Sequence, residues 1–477
     1  MMQDGDLSGI IGLNDIDLDF QRALPHPDML EIPTRAKTYV NKFCPKCKDT
    51  PMHGLGVRKC RIRTWPINAS QPICCLIISR KRYVCPVCGK TVIQPMPSCI
   101  DEGHRMTKNF AETIAKQAVE LPFKTIQKTL KVNDATVKRL FIEYAKTIVD
   151  NYKFALPTIM GLDEVMTDKT FRTTITNLER GSLFDILEYR QQSFLEKEFE
   201  KYPLEQREKV KWVCTDMYRP FKKPIAELLP NAQWVIDRFH VVMKANEALD
   251  QMRIRLQAKL PKTTALNVKK RFRFSLLGRP QNLTQDAKNT LDLLRASCPV
   301  LMQGYDLKES FYAIYEQSFT RDEAKSKFLE WKASIPNKTP EDKENFKEFH
   351  ALVKTFENFE ENILNFFDSG GLTNGLTECM NGLIKITNRL GRGYEFEVLR
   401  LKMLCRSQPI ADSMNRGVQY GANVSTLAQS VGVKPGYEED KMMIKSIDMD
   451  YEKRRQGILD KDDEFGSIDL LEDELTG

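Results

Sequence analysis

Two pairs of cysteines, Cys44-Pro-Lys-Cys47 and Cys85-Pro-Val-Cys88, carry the clearest chemical signal in the sequence. A Cys-x-x-Cys turn presents two thiolates to one ion, and two such turns complete the soft tetrahedral set that structural zinc requires. A redox motif would use one pair beside a β-α-β pattern, whereas both pairs here lie in a Lys/Arg-rich stretch. Cys60, Cys74 and Cys75, spaced irregularly between the pairs, suit buried small hydrophobes better than ligands. Arg80-Lys81-Arg82-Tyr83 sets three cations and an aromatic beside the second pair, an arrangement suited to backbone contacts on DNA.

Acids form the second signal. Asp163 lies at the end of the apolar run Thr158 to Val165, Asp216 follows Val210 to Thr215, and Asp237 follows Ala232 to Ile236. Two carboxylates brought together without a cation repel, and one then holds its proton. Magnesium or manganese removes that conflict. Hard oxygen ligands with positions open to water and phosphate suit a two-metal phosphoryl-transfer site, its ions about 3.5–4 Å apart. A third carboxylate is expected from a later helix. In Asn374-Gly375-Leu376-Thr377-Glu378-Cys379-Met380-Asn381-Gly382-Leu383-Ile384-Lys385, helical spacing puts Glu378, Asn381 and Lys385 on one face.

The elements that must position these residues follow from periodicity. Phe171 to Asn177 and Ser182 to Glu188 read as strands joined by a Glu179-Arg180-Gly181 turn. Helical stretches near 193–209 and 219–229 separate the later runs, giving the order β-β-β-α-β-α-β. Three strands in a meander followed by crossover units resemble a ribonuclease-H-like sheet, whose first and fourth strands adjoin and would bring Asp163 to Asp216. Residues 258–368 are helical, clearest after Thr339-Pro340, where Phe346, Phe349, Leu352, Val353, Phe356, Phe359, Ile363 and Phe366 recur every three or four residues as a core stripe. Lys262 to Arg273 offers a basic face to DNA. Upstream, helices from Thr107 to Glu120 and from Pro122 to Leu130, a Lys131-Val132-Asn133 turn and a helix capped by Asn133 or Asp134 form a helix-turn-helix pattern. Its exposed Thr136, Lys138 and Arg139 would face DNA.

Charge is distributed to match. Residues 35–149 carry 22 Lys/Arg against seven acids, whereas residues 1–34 carry one Arg against seven acids and residues 460–474 one Lys against eight. A basic segment of that size points to a polyanion partner. Among 477 residues no apolar run approaches the roughly 18–20 needed to cross a bilayer, and the acidic N-terminus does not read as a secretory signal. A reducing cytoplasm, with association to the nucleoid, is the expected location.

Taken together, the two Cys-x-x-Cys pairs, the helix-turn-helix, GLDE at Gly161 to Glu164, TDMY at Thr215 to Tyr218, DRFHV at Asp237 to Val241 and NGLTECMNGLIK at Asn374 to Lys385 resemble the ISL-three group of bacterial insertion-sequence transposases over about residues 40–405. The resemblance implies a DDE triad at Asp163, Asp216 and Glu378, holding two Mg²⁺ or Mn²⁺ ions for DNA strand cleavage and strand transfer. It matches the family's Asp-x-x-His element to Asp237 and His240, the His helping to hold DNA. Asn381 and Lys385 are further DNA-binding candidates. Terminal inverted repeats and target DNA are the implied partners, with at least a homodimer in the active complex. Two rival readings share these features: a non-catalytic transposase-derived regulator, and a ribonuclease-H-like structure-selective nuclease.

The fold class expected is multidomain α+β: a zinc knuckle, a helix-turn-helix, and a ribonuclease-H-like α/β catalytic domain interrupted by an all-helical insertion. The divisions are an acidic N-terminal segment (1–38), a zinc-binding domain (39–103), a helix-turn-helix domain (104–150), the catalytic domain's first part (151–257), the insertion (258–370), the final catalytic helices with the third acid (371–410), and a C-terminal segment with an acidic tail (411–477).

Overall fold

The computed structural model describes residue 13 and residues 15–48, 50–66, 73–151, 155–258 and 273–407. The acidic tail and most of the basic stretch Lys262 to Arg273 lie outside them; Arg273 itself pairs with Asp250 at 2.9 Å. The chain is multidomain and mixed α/β. Described residues of Met1–Lys153 and Ile386–Asn415 form one compact unit, and those of Phe154–Lys385 another.

The first unit is built on β1 (Ile16–Leu18), β2 (Leu24–Pro25), β3 (Met29–Ala36), β4 (His53–Thr64), β5 (Ile73–Val84), β6 (Thr91–Ile93), β7 (Ile100–Asp101) and β8 (Met106–Thr107). They form one sheet in the order β1-β3-β5-β4-β8-β7, with β2 on β3 and β6 on β5. Alternation in the long antiparallel β4–β5 pair turns Ile62, Cys74, Leu76 and Ile78 toward Ile16 and Ile32 in the core. Cys74 and Cys75 are buried and Cys60 half-buried, and burial pushes the Cys74 thiol up to about 11.

Helices α1 (Lys108–Glu120), α2 (Phe123–Leu130) and α3 (Asp134–Asn151) follow. Lys131 takes a left-handed φ of 52° after α2, and the Asn133 side chain accepts the Ala135 N–H at 2.9 Å to start α3. Phe110, Ile114, Phe123, Ile126, Val137, Leu140 and Phe141 are buried, and their spacing within each helix is what packs the three together.

The second unit opens with β9 (Ile159–Thr167), β10 (Thr170–Asn177) and β11 (Ser182–Leu187), then α4 (Gln192–Glu200), α5 (Leu204–Arg207), β12 (Trp212–Thr215), α6 (Lys222–Leu228), β13 (Gln233–Ile236) and α7 (Arg238–Gln257). Its sheet runs β11-β10-β9-β12-β13, antiparallel across the meander and parallel from β9 to β13. A helical block follows: α8 (Arg273–Leu277), α9 (Gln285–Ser297), α10 (Pro299–Glu316), α11 (Arg321–Ser334), α12 (Pro340–Asn345), α13 (Lys347–Asn358) and α14 (Glu360–Asp368). The aromatic stripe read from sequence is therefore shared between two helices, α13 and α14, with Phe346 and Phe359 at the junctions that precede them, and it is core: Phe356 stacks on Phe328 with ring centroids 3.6 Å apart. Thr339 and Asp342 cap α12 reciprocally.

Two helices end the described chain, α15 (Gly375–Leu390) and α16 (Phe396–Arg406). The sequence groups 371–410 with the acid-bearing sheet, whereas residues 386–407 lie with the first unit. The physical reason is Lys402. Its ammonium is buried and donates to the carbonyls of Ala118, Val119 and Leu121, which the end of α1 leaves unpaired. The rings of Phe123, Phe141 and Tyr394 surround it at 5.0–5.3 Å. Burial, helped by the nearby Arg406 charge, lowers its pKa to about 7. No helix among the described residues is long and apolar enough to cross a membrane.

Candidate active site and metal centre

The β4–β5 register places the four cysteines. Cys44-Pro-Lys-Cys47 precedes β4 and Cys85-Pro-Val-Cys88 follows β5, and His53 pairs with Val84, so both turns fall at the same end of the ribbon. Cys44, Cys47, Cys85 and Cys88 lie with their sulfurs all within 4.8 Å of one another. The backbone N–H of Cys47 points at Cys44 Sγ, 3.4 Å away, and that donation holds the Cys44 thiol down to about 7. Four soft donors on tight turns could hold one metal ion; Cys60, Cys74, Cys75 and His53 are not among them.

Basic residues singled out from sequence have mixed surroundings. Lys81 and Arg139 are exposed, while Thr136 is half-exposed. Arg80 donates through Nε to the Gln94 carbonyl at 2.6 Å, and Arg82 is half-buried. Lys138, expected on DNA, pairs with Glu395 at 2.6 Å.

In the second unit the parallel ladders align the acids. Cys214 pairs with Gly161, and Thr215 with Ile236. Extending each ladder to residue 216 sets Asp216 level with Asp163 on one side and Asp237 on the other. Parallel strands about 4.8 Å apart point residues in register to the same face, so the three carboxylates form a row. Asp237 is fully buried and caps α7, its Oδ1 accepting from the Phe239 N–H at 3.3 Å. One turn into α7, His240 Nε2 lies 3.4 Å from Glu378 Oε1, and Asp237, His240 and Glu378 offer ligand atoms within 4.8 Å of one another.

The electrostatics follow from burial and like charge. Burial, reinforced by the Asp216 charge, raises Asp163 to about 7. Burial raises Asp216 as well and lifts Asp237 to about 6, with the His240 charge opposing both. His240 responds in the other direction: burial would depress it, but Glu378, Asp237 and Asp216 outweigh that and raise it to about 9.

Helix α15 docks on the same face of the sheet through a seam of small polar groups. Asn374 Nδ2 donates to the Leu162 carbonyl at 3.0 Å, Thr377 hydrogen-bonds Thr176 at 2.7 Å, and Asn381 Nδ2 donates to Asp163 Oδ2 at 2.8 Å. These positions follow helical spacing, with Glu378 on the same side. Asn381, expected on DNA, is 6% exposed and turned inward, while Lys385 is half-buried on the same helix. Gly161 makes the docking possible, because a Cβ there would collide with Thr377, Thr176 and Asn374. Asn374 and Thr377 fall in the NGLTECMNGLIK motif but its spacing assigns them no role, and for Thr174 and Thr176 only the alternation of small residues opposite Gly161 and Asp163 is a hint. Arg190, also unforeseen, pairs with Glu164 at 2.5 Å and covers the Phe171 ring at 4.0 Å.

A mixed sheet with acids at the carboxyl ends of its parallel strands, joined by a helix-borne glutamate, defines an α/β domain in which Asp237, His240 and Glu378 could hold a metal ion. A transposase family model matches residues 160–403, which contain all of it. The transposase for insertion sequence element IS1557 of Mycobacterium tuberculosis is 23% identical over 399 residues, 76% of this chain and 84% of that protein. The transposase for insertion sequence element IS1001 of Bordetella parapertussis is 24% identical over 266 residues, 54% of this chain and 64% of that protein. The chain belongs to the ISL-three group of insertion-sequence transposases.

Two outcomes test the geometry. Gly161→Ala wedges α15 off the sheet and destabilises the fold by about 1–3 kcal/mol, read from denaturant midpoints. In metal-free protein the His240 imidazolium persists to about pH 9. Its stabilising contribution is complete below its ordinary value and is lost as pH rises through 9; ring NMR titration should show this, with Glu378→Gln moving the titration lower.

Proposed function

We propose that the chain is a DDE transposase that binds the terminal inverted repeats of an insertion sequence and catalyses metal-dependent strand cleavage and strand transfer. The reading is carried by the strand register, which brings Asp163, Asp216 and Asp237 to the carboxyl ends of adjacent parallel strands, together with Glu378 of α15, which lies beside Asp237 and His240. The strand order, a meander continued by two parallel strands, supports a ribonuclease-H-like catalytic domain.

Hard carboxylate oxygens beside one another fit magnesium or manganese, and the raised pKa of Asp163 reflects first its burial and then the neighbouring Asp216 charge, both of which a bound cation would offset. Asp163, Asp216 and Glu378 would hold the ions, with Asp237, whose carboxylate lies within 4.8 Å of His240 and Glu378, beside them. When bound, the metal pair supplies activation of water or a DNA 3′-hydroxyl and stabilisation of the leaving oxygen. The chain's own part is to hold the carboxylates in place and to keep a positive imidazole, His240, where a DNA phosphate would approach. No side chain serves as a covalent nucleophile.

Zinc fits the tetrathiol set of Cys44, Cys47, Cys85 and Cys88, where it would fix the tip of the β4–β5 ribbon. DNA contacts belong to the helix-turn-helix, through Thr136 and Arg139, and to Arg80, Lys81 and Arg82, with Lys138 available when its pair with Glu395 opens. Terminal repeats come in pairs, so the active complex holds at least two copies.

With labelled repeat ends, a target plasmid and Mg²⁺ or Mn²⁺, Asp163→Asn and Glu378→Gln should each lower cleavage at least about a hundredfold while DNA affinity is unchanged. Unaltered cleavage refutes the triad. Cutting without joining of the 3′ end would mark a nuclease. Purified protein should carry one zinc per chain by elemental analysis, and Cys44→Ser should lose it along with several kcal/mol of stability.

A further inference from the structure

We infer that Asn381 is a positioning residue that aims the Asp163 carboxylate and sets its spacing to Glu378, an inference that rests on the triad reading above. Three groups determine how its amide lies. Nδ2 donates to Asp163 Oδ2 at 2.8 Å and to the Glu164 carbonyl at 3.2 Å, and Oδ1 accepts from Thr174 Oγ1 at 2.6 Å. A carboxylate and a carbonyl only accept, so the amide nitrogen must face them, and the hydroxyl of Thr174 takes the oxygen. Flipping the amide would turn its oxygen toward Asp163 and the Glu164 carbonyl and break both of those bonds in a buried place.

The placement has two consequences. Asp163 Oδ1 already accepts the Glu164 N–H at 2.8 Å, so with Asn381 on Oδ2 the carboxylate plane is held at both ends. Asn381 also sits three residues beyond Glu378 on α15, one turn along the same face. One amide therefore ties the strand that carries the first acid to the helix that carries the third. Thr174, directly opposite Asp163 in the β9–β10 ladder, completes the tie from the neighbouring strand. Groups that orient a ligating carboxylate in this way govern metal affinity without touching the metal.

The test is Mn²⁺ binding to the full chain followed by electron paramagnetic resonance, with thermal melting in EDTA as the structural control. Asn381→Ala should raise the Mn²⁺ dissociation constant about tenfold or more, and Thr174→Val by less, since it frees only one end of the amide. Leu352→Ala, in the core of the helical block, should lower the melting temperature yet keep the wild-type Mn²⁺ constant. Asp163→Asn and Glu378→Gln should abolish binding. If those two bind Mn²⁺ normally, the triad reading fails. If they lose it while Asn381→Ala matches wild type, the positioning role alone is overturned. An Asn381→Ala protein that binds Mn²⁺ normally but DNA poorly would make the residue a DNA contact instead, and a loss shared by Leu352→Ala would reduce its role to packing.

Discussion

Like charges held close together out of water are the constraint around which the second unit is organised. Asp163, Asp216 and Asp237 fall at the carboxyl ends of adjacent strands, and burial raises the pKa of each, with the Asp216 charge adding to the rise at Asp163 and the Glu378 charge to that at Asp237. Several groups offset that cost: the N–H of Phe239 at the start of α7, the amide of Asn381 and the imidazolium of His240. Two of them come from α7 and the third from α15. The fold around the row is thus a means of bringing compensating dipoles and one cation to it.

The polar seam beneath α15 follows from the same demand. An apolar helix would pack on a sheet with looser register, because hydrophobic contact is non-directional. Here Asn374, Thr377 and Asn381 meet the Leu162 carbonyl, Thr176 and Asp163, and each contact fixes both the rotation and the translation of the helix. Gly161 lets the backbones approach. On the opposite face of the sheet, Met160, Leu162 and Ile175 are buried in the apolar core, so β9 carries chemistry on one side and stability on the other.

The first unit solves a different problem, that of organising a basic surface with little core at its end. A long two-stranded ribbon projects exposed residues from His53 to Lys59, and the four cysteines sit where that ribbon ends. At the other boundary, Lys402 caps α1 and brings α16 into the helical cluster, so segments far apart in sequence complete one unit. A buried ammonium is costly, yet three carbonyls and three rings surround this one.

Much of this was legible in the residues themselves. Spacing alone marked the two cysteine pairs, the helix-turn-helix and the order of strands and helices from Thr158 to Ile236, because thiolate turns, caps and hydrophobic periodicity are local properties. The aspartates at strand ends were visible for the same reason. What only the tertiary structure decided was long-range. Spacing did not show that the Asn381 amide meets Asp163 or that Lys402 draws α16 to α1, and for the seam of Thr174, Thr176, Asn374 and Thr377 it held no more than the small residues opposite Gly161 and Asp163. Strand register, the side of a helix that meets a sheet, and the carbonyls a lysine reaches are set by packing between segments hundreds of residues apart, and a one-dimensional pattern carries no record of that distance.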